Sequence, residues 1–257
     1  MKFIIAGYGF VGKAVVNTFK NKHDLTIVDP AYNEEKIQHN IDADGLIICA
    51  PTPTNNDGTC NIDAIHDILQ TVPKYMPVLI KSTVTPEVAK SIINQYNDHS
   101  IVFSPEFLRA RSANQDFLTQ KYIIIGGEDP EFFWHEAFQT TLPNCSIVFH
   151  CTIEEACMVK YAANSFLALK TSFFNQIFDL CTKTGMDFDT VRQIIALDQR
   201  IGADHTMVPG PDGEYGWGGA CFPKDTTAFV QWANAVGAPA TLVESAINYN
   251  NKVRKNT

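Results

Sequence analysis

Lys2-Phe3-Ile4-Ile5-Ala6-Gly7-Tyr8-Gly9-Phe10-Val11-Gly12 is an apolar run that breaks into three glycines. The first five residues read as a buried parallel strand, and the glycines turn the chain into a helix running through Lys20. A GxGxxG set between strand and helix is a dinucleotide-binding turn. Gly7 makes the tight bend, Gly9 lets a pyrophosphate approach the backbone, and Gly12 lets the helix pack on the strand; Phe10 and Val11 lie between them in the same phosphate-facing turn. The next strand, Leu25-Thr26-Ile27-Val28, ends at Asp29. A carboxylate there accepts hydrogen bonds from ribose hydroxyls and repels a 2′-phosphate, which favours NAD over NADP; an Asp that merely caps a turn is the structural alternative.

Beyond this unit, strands and helices alternate. Strand Gly45–Ala50 is followed by Pro51-Thr52-Pro53-Thr54, a helix from Asn61 to Tyr75, and strand Val78–Lys81 ending at Ser82-Thr83. Then come a helix from Pro86 to Tyr96, strand Ile101–Phe103 and the loop Ser104-Pro105-Glu106-Phe107-Leu108-Arg109. Strand Tyr122–Ile125, a helix from Glu131 to Thr141 and strand Ser146–Phe149 complete the series. Such alternation predicts an α/β fold, a Rossmann-like doubly wound parallel sheet over residues 1–150, with its ligand crevice at the carboxyl ends of the strands. Pro51, Thr52, Thr83 and Glu106 all fall at that edge. Glu106 just past a strand end is a general-base candidate, although a Glu after Pro is more often a solvated loop residue.

From residue 151 to 257 the pattern turns helical, which predicts a second domain. Thr152 with Glu155 three residues on forms a capping box for a long helix reaching about Cys181. Its apolar residues fall on more than one face, so it packs on more than one side, including against a second copy of the chain. Lys160 and Asn164, four apart, share one face. A helix over Asp189–Ala196, then Asp198-Gln199-Arg200-Ile201-Gly202, leads into Gly216-Trp217-Gly218-Gly219-Ala220-Cys221-Phe222-Pro223-Lys224-Asp225. Three glycines in four positions deliver one thiol flanked by an ammonium and a carboxylate. Pro223 suits the first turn of a helix to about Val236, which puts the sulfur near a helix N-terminus, where thiolate is favoured. The alternative is a glycine-rich turn with a buried, inert Cys221. A last helix runs from about Ala240 to Lys255, and the basic tail Lys252-Val253-Arg254-Lys255 reads as its solvated, cation-favouring end.

Composition bounds the partners. The 257 residues are 45% hydrophobic and 19% charged with a formal net charge of −8, ordinary for a globular protein and unsuited to nucleic acid or an anionic membrane. Seven cysteines without a CxxC pair argue against a disulfide framework and for a reducing compartment, and the seven histidines lack metal-ligand spacing, so no metal site is expected. No apolar run approaches the ~20 residues that span a bilayer, and the N-terminus is unlike a secretory signal. The expected location is the cytoplasm.

The ordered set GYGFVG, PTPT, STV, PEFLR, KYAAN, DQRIG and GGACFPKD resembles the UDP-glucose/GDP-mannose dehydrogenase family over the whole sequence. The resemblance implies two successive hydride transfers from the primary alcohol of a sugar nucleotide, UDP-glucose on family frequency, to two NAD. It implies Cys221 as the thiol that carries a thioester, Lys160 and Asn164 as oxyanion stabilisers, and Glu106 as the base for hydrolysis, with Thr83 and Asp225 orienting the water. It also implies Lys224 beside sulfur and cofactor, Phe107, Leu108 and Gly218 against the substrate, and Arg200 reaching the sugar nucleotide across a homodimer interface through the 152–181 helix.

Three departures from the family stand out. Ala110 replaces a second acidic residue, the segment between Asp29 and Gly45 is short, and the sequence reaches Thr257 about where a further nucleotide-gripping α/β domain would begin. Substrate binding is then expected to be weak or to need a separate nucleotide-binding chain. Two other readings stand beside this one. A single-step NAD dehydrogenase of the β-hydroxyacid type would have no use for Cys221. A non-catalytic NAD-binding subunit would have no need of Lys160, Glu106 and Cys221 together.

Overall fold

The computed structural model describes residues 1–142 and 144–254. They form two compact units, Met1–Asn55 with Cys60–Lys160, and Asn56–Thr59 with the chain from Tyr161 onward.

The first unit is built on a seven-stranded sheet: β1 (Lys2–Ala6), β2 (Asp24–Val28), β3 (Gly45–Ile48), β4 (Val78–Ile80), β5 (Ile101–Phe103), β6 (Tyr122–Gly126) and β7 (Ile147–Cys151), in the order β2-β1-β3-β4-β5-β6-β7. Strands β1 to β5 are parallel, with register Ile4 to Leu46, Leu46 to Val78 and Val78 to Ile101. Residues alternate between two cores, as the two-residue period of a strand requires. Ile4, Leu46, Ile48, Val78, Ile80 and Phe103 pack on α2 (Asp63–Leu69) and α3 (Pro86–Gln95), through Ile65, Leu69, Ala89 and Ile92. Phe3, Ile5, Ile47, Leu79 and Val102 pack on the opposite layer, α1 (Phe10–Phe19), α4 (Ala113–Leu118) and α5 (Phe133–Thr141), through Val15, Phe19, Phe117, Trp134 and Phe138. Helices on both faces of the sheet make the fold doubly wound and Rossmann-like.

The sheet is mostly, not wholly, parallel. Strand β6 meets β5 antiparallel through the single Phe103–Gly126 pair, while β6 and β7 run parallel to each other. A parallel return needs a crossover with a substantial helix. Here residues 104–112 are spent on an irregular stretch and a single 3-10 turn, and α4 has six residues. Two helices also differ from expectation. The predicted helix to Tyr75 stops at Leu69, because Pro73 lacks an N–H and disfavours helical backbone before it. The helix predicted from Glu131 starts at Phe133, since Glu131 and Phe132 have φ of 52° and 56°. The Asp129 carboxylate accepts hydrogen bonds from the N–H groups of Trp134 (2.9 Å) and His135 (3.0 Å), which satisfies the helix end and holds the strained pair.

Helix α6 (Ile153–Thr184) begins in the first unit and continues in the second. Its capping box is formed: Thr152 N donates to Glu155 Oε2 (2.8 Å) and Glu155 N to Thr152 Oγ1 (3.2 Å). The second unit adds α7 (Phe188–Ala196), α8 (Phe222–Ala235) and α9 (Thr241–Val253). Its core gathers Phe174, Cys181 and Phe188 with Phe178, Val191 and Ile195. Helix α9 ends before Arg254, which is no solvated tail: its guanidinium pairs with Asp212 (2.7 Å) and lies against Gly218. Lys255, the expected end of the helix, lies outside the described residues.

Candidate active site

In the first unit the glycine turn is set by steric necessity. Gly7 has φ of 99°, and a Cβ on it would meet Cys49 O at 2.6 Å; a Cβ on Gly12 would collide with the carbonyl of Gly7. Gly9 differs, because a Cβ there meets nothing within 4 Å, and α1, with Gly9 at its N-cap, has no side-chain cap. A close-packed turn carrying one open glycine at an uncapped helix start fits a pyrophosphate. Asp29 braces the same turn. Its carboxylate accepts from Tyr8 N (2.6 Å) and Ala31 N (2.8 Å), so the turn-capping reading holds alongside any ribose contact. Farther along the carboxyl edge, Thr52 Oγ1 donates to the carbonyl of Thr83 (2.8 Å), tying PTPT to STV.

Beyond β5, Glu106 is no solvated loop residue; it is 5% exposed. Lys160, 8% exposed, donates from Nζ to the Glu106 carbonyl and lies 5.5 Å from the centre of the Phe107 ring. The Lys160 ammonium is therefore held inside the unit and does not extend to solvent. The Glu106 carboxylate forms an ion pair with Lys81, whose side chain is 1% exposed. Sequence reasoning missed Lys81, reading it as the tail of a strand. The signal was there: one ammonium ends the otherwise apolar run Val78-Leu79-Ile80 at the ligand edge. Burial pulls the Lys81 ammonium below the usual lysine range, with Cys49 opposing and the Lys160 charge adding to the effect, while the paired Glu106 carboxylate favours its charged form.

In the second unit, Cys221 is the N-cap of α8, partly buried, with Pro223 in the first turn. None of the seven cysteines is bridged. Burial pushes the thiols of Cys49 and Cys157 up to about 12, so these two are chemically quiet. One turn into α8, the fully buried Asp225 carboxylate accepts from Asn164 Nδ2 (2.5 Å) and from Lys224 Nζ (2.6 Å). Asp225 thus fixes which way the Asn164 carboxamide faces.

The loop that delivers Cys221 is clamped by buried amides. Asn250 Oδ1 accepts from Trp217 N (2.8 Å) while its Nδ2 donates to Trp217 O (2.9 Å). Asn175 Oδ1 accepts from Gly216 N (2.9 Å), and Trp217 Nε1 donates to Ser172 Oγ (2.9 Å). Gly218 lies in the wall of a cavity of about 360 Å³ with Trp217, Pro223, Asn250 and Arg254. Asn175 and Asn250 were invisible in the sequence, because each is defined by a partner more than thirty residues away. Arg200 stands apart from these groups: it is exposed and paired with its neighbour Asp198 (2.6 Å). Phe107 stacks obliquely on Tyr122, and Leu108 packs on the core layer beneath α1. The first unit thus brings Glu106 to Lys160, and the second brings Asn164, Lys224 and Asp225 to the helix that starts at Cys221.

Two family models match the chain. Residues 32–139 match the NAD binding domain, and residues 154–252 the central domain, of the UDP-glucose/GDP-mannose dehydrogenase family. UDP-glucose 6-dehydrogenase TuaD of Bacillus subtilis (strain 168) is 33% identical over 227 residues, which cover 82% of this chain and 47% of the relative; UDP-glucose 6-dehydrogenase YwqF of the same organism is 35% identical over 222 residues, 81% of this chain and 49% of the relative. The chain spans about half the length of the curated relatives it matches. Among solved structures, a UDP-glucose dehydrogenase from the archaeon Pyrobaculum islandicum superposes with a TM-score of 0.85 at 24% identity, covering 98% of this chain and 68% of that one. At that identity the likeness speaks for the fold.

Proposed function

Because the chain belongs to the UDP-glucose/GDP-mannose dehydrogenase family and carries its NAD-binding domain, we propose that it performs the NAD-dependent, two-step oxidation of the C6 primary alcohol of a nucleotide sugar, UDP-glucose first among candidates. The observation that carries this reading is Cys221 at the N-cap of α8, in the second of two family domains matched in order. Gly7, Gly9, Phe10, Val11, Gly12, Asp29, Pro51, Thr52, Thr83 and Lys224 hold NAD, which when bound accepts hydride. The substrate carbon gives up a hydride and its hydroxyl a proton, leaving an aldehyde. The Cys221 thiolate adds to that aldehyde, forming a C–S bond and a hemithioacetal oxyanion, which Lys160 and Asn164 stabilise. Loss of the second hydride leaves a thioester on Cys221. Glu106 then takes a proton from water, the hydroxide attacks, the C–S bond breaks, and the acid departs with the thiolate restored. Thr83 and Asp225 orient that water, Phe107, Leu108 and Gly218 border the substrate, and Arg200 reaches it from the partner subunit.

A screen of UDP-glucose, UDP-N-acetylmannosamine and GDP-mannose for NADH production tests the reading, with and without a separately encoded nucleotide-binding chain. The expected result is two NADH per sugar acid with one of the three. No NADH with any of them, even beside such a chain, favours the non-catalytic NAD-binding subunit.

A homodimer through α6 belongs to the same proposal. Phe166, Phe173 and Leu180 recur every seven residues and are 62%, 54% and 56% exposed, an apolar seam of the kind that pairs helices. Phe173→Asp sets a carboxylate in that seam and, in a symmetric pair, against its own copy. Dimer affinity should fall by about 100-fold or more. Sedimentation showing an unchanged dimer would remove α6 from the interface.

A further inference from the structure

Glu106 and Lys81 meet inside the first unit, on two elements of the sheet edge, with almost no access to water. The Lys81 ammonium also donates to the Ser104 carbonyl (3.0 Å) and Ser104 Oγ (3.2 Å), and the rings of Phe117 and Phe138 lie 5.6 and 5.2 Å from it. Two of its three donors are therefore committed to Ser104, and the ammonium is held among Ser104, Glu106, Phe117 and Phe138. The carboxylate is not so committed. Its Oε1 abuts Lys81 as an ion pair without the geometry of a directed hydrogen bond, and its Oε2 is buried with no hydrogen-bond partner among the described residues. Lys160, the other cation close by, is engaged with the Glu106 backbone carbonyl.

A buried carboxylate without a compensating charge takes up a proton, and a protonated carboxyl accepts none. An unsatisfied buried oxygen in a native fold marks a place where a water or ligand atom belongs. We infer that Lys81 is a positioning residue: it keeps Glu106 ionised inside the protein and occupies Oε1, so that Oε2 is the atom that receives the proton from the attacking water. The charged and titratable groups facing the pair are Cys49 from the end of β3 and Lys160 from α6. Cys49 is neutral at ordinary pH and adds no charge, and of the two cations Lys81 is the one whose ammonium pairs with the Glu106 carboxylate.

This inference rests on Glu106 being the base, and its test separates the two claims. Infrared titration of the whole chain, with Glu106→Gln as the subtraction that assigns the signal, reads the Glu106 carboxyl directly and needs no turnover. In the unmodified protein Glu106 should be ionised at pH 7. In Lys81→Met its protonated-carboxyl band should appear at pH 7, and the acidic limb of acid release should move up by about one pH unit or more. Lys81→Arg should restore the ionised form at least in part. If Lys81→Met does not fold but Lys81→Met with Glu106→Gln does, the carboxylate's need for Lys81 is demonstrated by another route. A protonated Glu106 at pH 7 in the unmodified protein, or the same titration midpoint in Lys81→Met as in the parent, overturns the inference. Should Glu106→Gln still release acid at the parental rate, the base assignment fails while the infrared result stands on its own.

Discussion

Replacing Cys221 by Ser should cut release of the sugar acid by at least about 10³-fold while leaving NAD affinity and thermal stability within error of the parent. A hydroxyl at the N-cap of α8 keeps the shape of the turn, but its oxygen is ionised far less than a thiol and does not carry the acyl group through the same sequence of bonds. Oxidation should stall at the aldehyde, giving at most one NADH per sugar in place of two. A single-step dehydrogenase would not notice the change. Undiminished acid formation by Cys221→Ser would therefore remove the thioester route and return the single-step reading. A second measurement asks about the thiol without turnover: at neutral pH, alkylation followed by mass spectrometry should label Cys221 before Cys49 or Cys157, whose thiols burial pushes up to about 12. Equal labelling of the three would deny Cys221 any special reactivity.

Gly7→Ala should strongly destabilise the cofactor turn, and Gly9→Ala should weaken NAD binding with no loss of stability. At Gly7 the backbone has φ of 99°, where an L side chain is strained by about 1–3 kcal/mol. The added methyl would also sit 2.6 Å from the carbonyl oxygen of Cys49, backbone that has no easy way to yield, for about 1–3 kcal/mol more. Together these lower Tm by roughly 10 °C, at about 2–4 °C per kcal/mol for a chain of this size. At Gly9 φ is −70° and the space around the missing Cβ is open, so Gly9→Ala should melt with the parent. Its methyl would stand where a pyrophosphate approaches, and NAD should bind at least about tenfold more weakly. Differential scanning calorimetry and NAD titration on the two variants settle both halves. An unchanged Tm for Gly7→Ala would contradict the packing at the turn, and unchanged NAD affinity for Gly9→Ala would contradict the cradle.

How far the sequence could be read depended on how local each feature is. The turn from Gly7 to Gly12 and the capping box at Thr152 and Glu155 are written in residues a few positions apart, so their chemistry is visible in a line of text. Lys81 shows the opposite case. As the last letter of an apolar strand it looks like a solvent-seeking end, and its role appears only when β4 and β5 lie side by side and Glu106 is carried back over it. The reversal of β6 was hidden for a related reason. Strand patterns report which residues are buried, and say nothing of direction unless the connection between strands is measured too. Glu131 and Phe132 look helical by composition, and only the reach of Asp129 to Trp134 and His135 explains why the helix waits for Phe133. Asn164 and Asp225 could each be named from the family resemblance, but the hydrogen bond that orients one by the other joins residues sixty-one apart.

The clamp of Asn250 on Trp217 gives the final helix a duty its amphipathic surface does not advertise. Both main-chain polar groups of Trp217, four residues before Cys221, are held by a single carboxamide on α9. Anyone trimming the protein for crystals or fusing a reporter to it should treat that helix as part of the machinery. Cutting ahead of Asn250 would unfasten the loop that leads to Cys221, turning a rigid presentation into a slack one without touching a reactive atom.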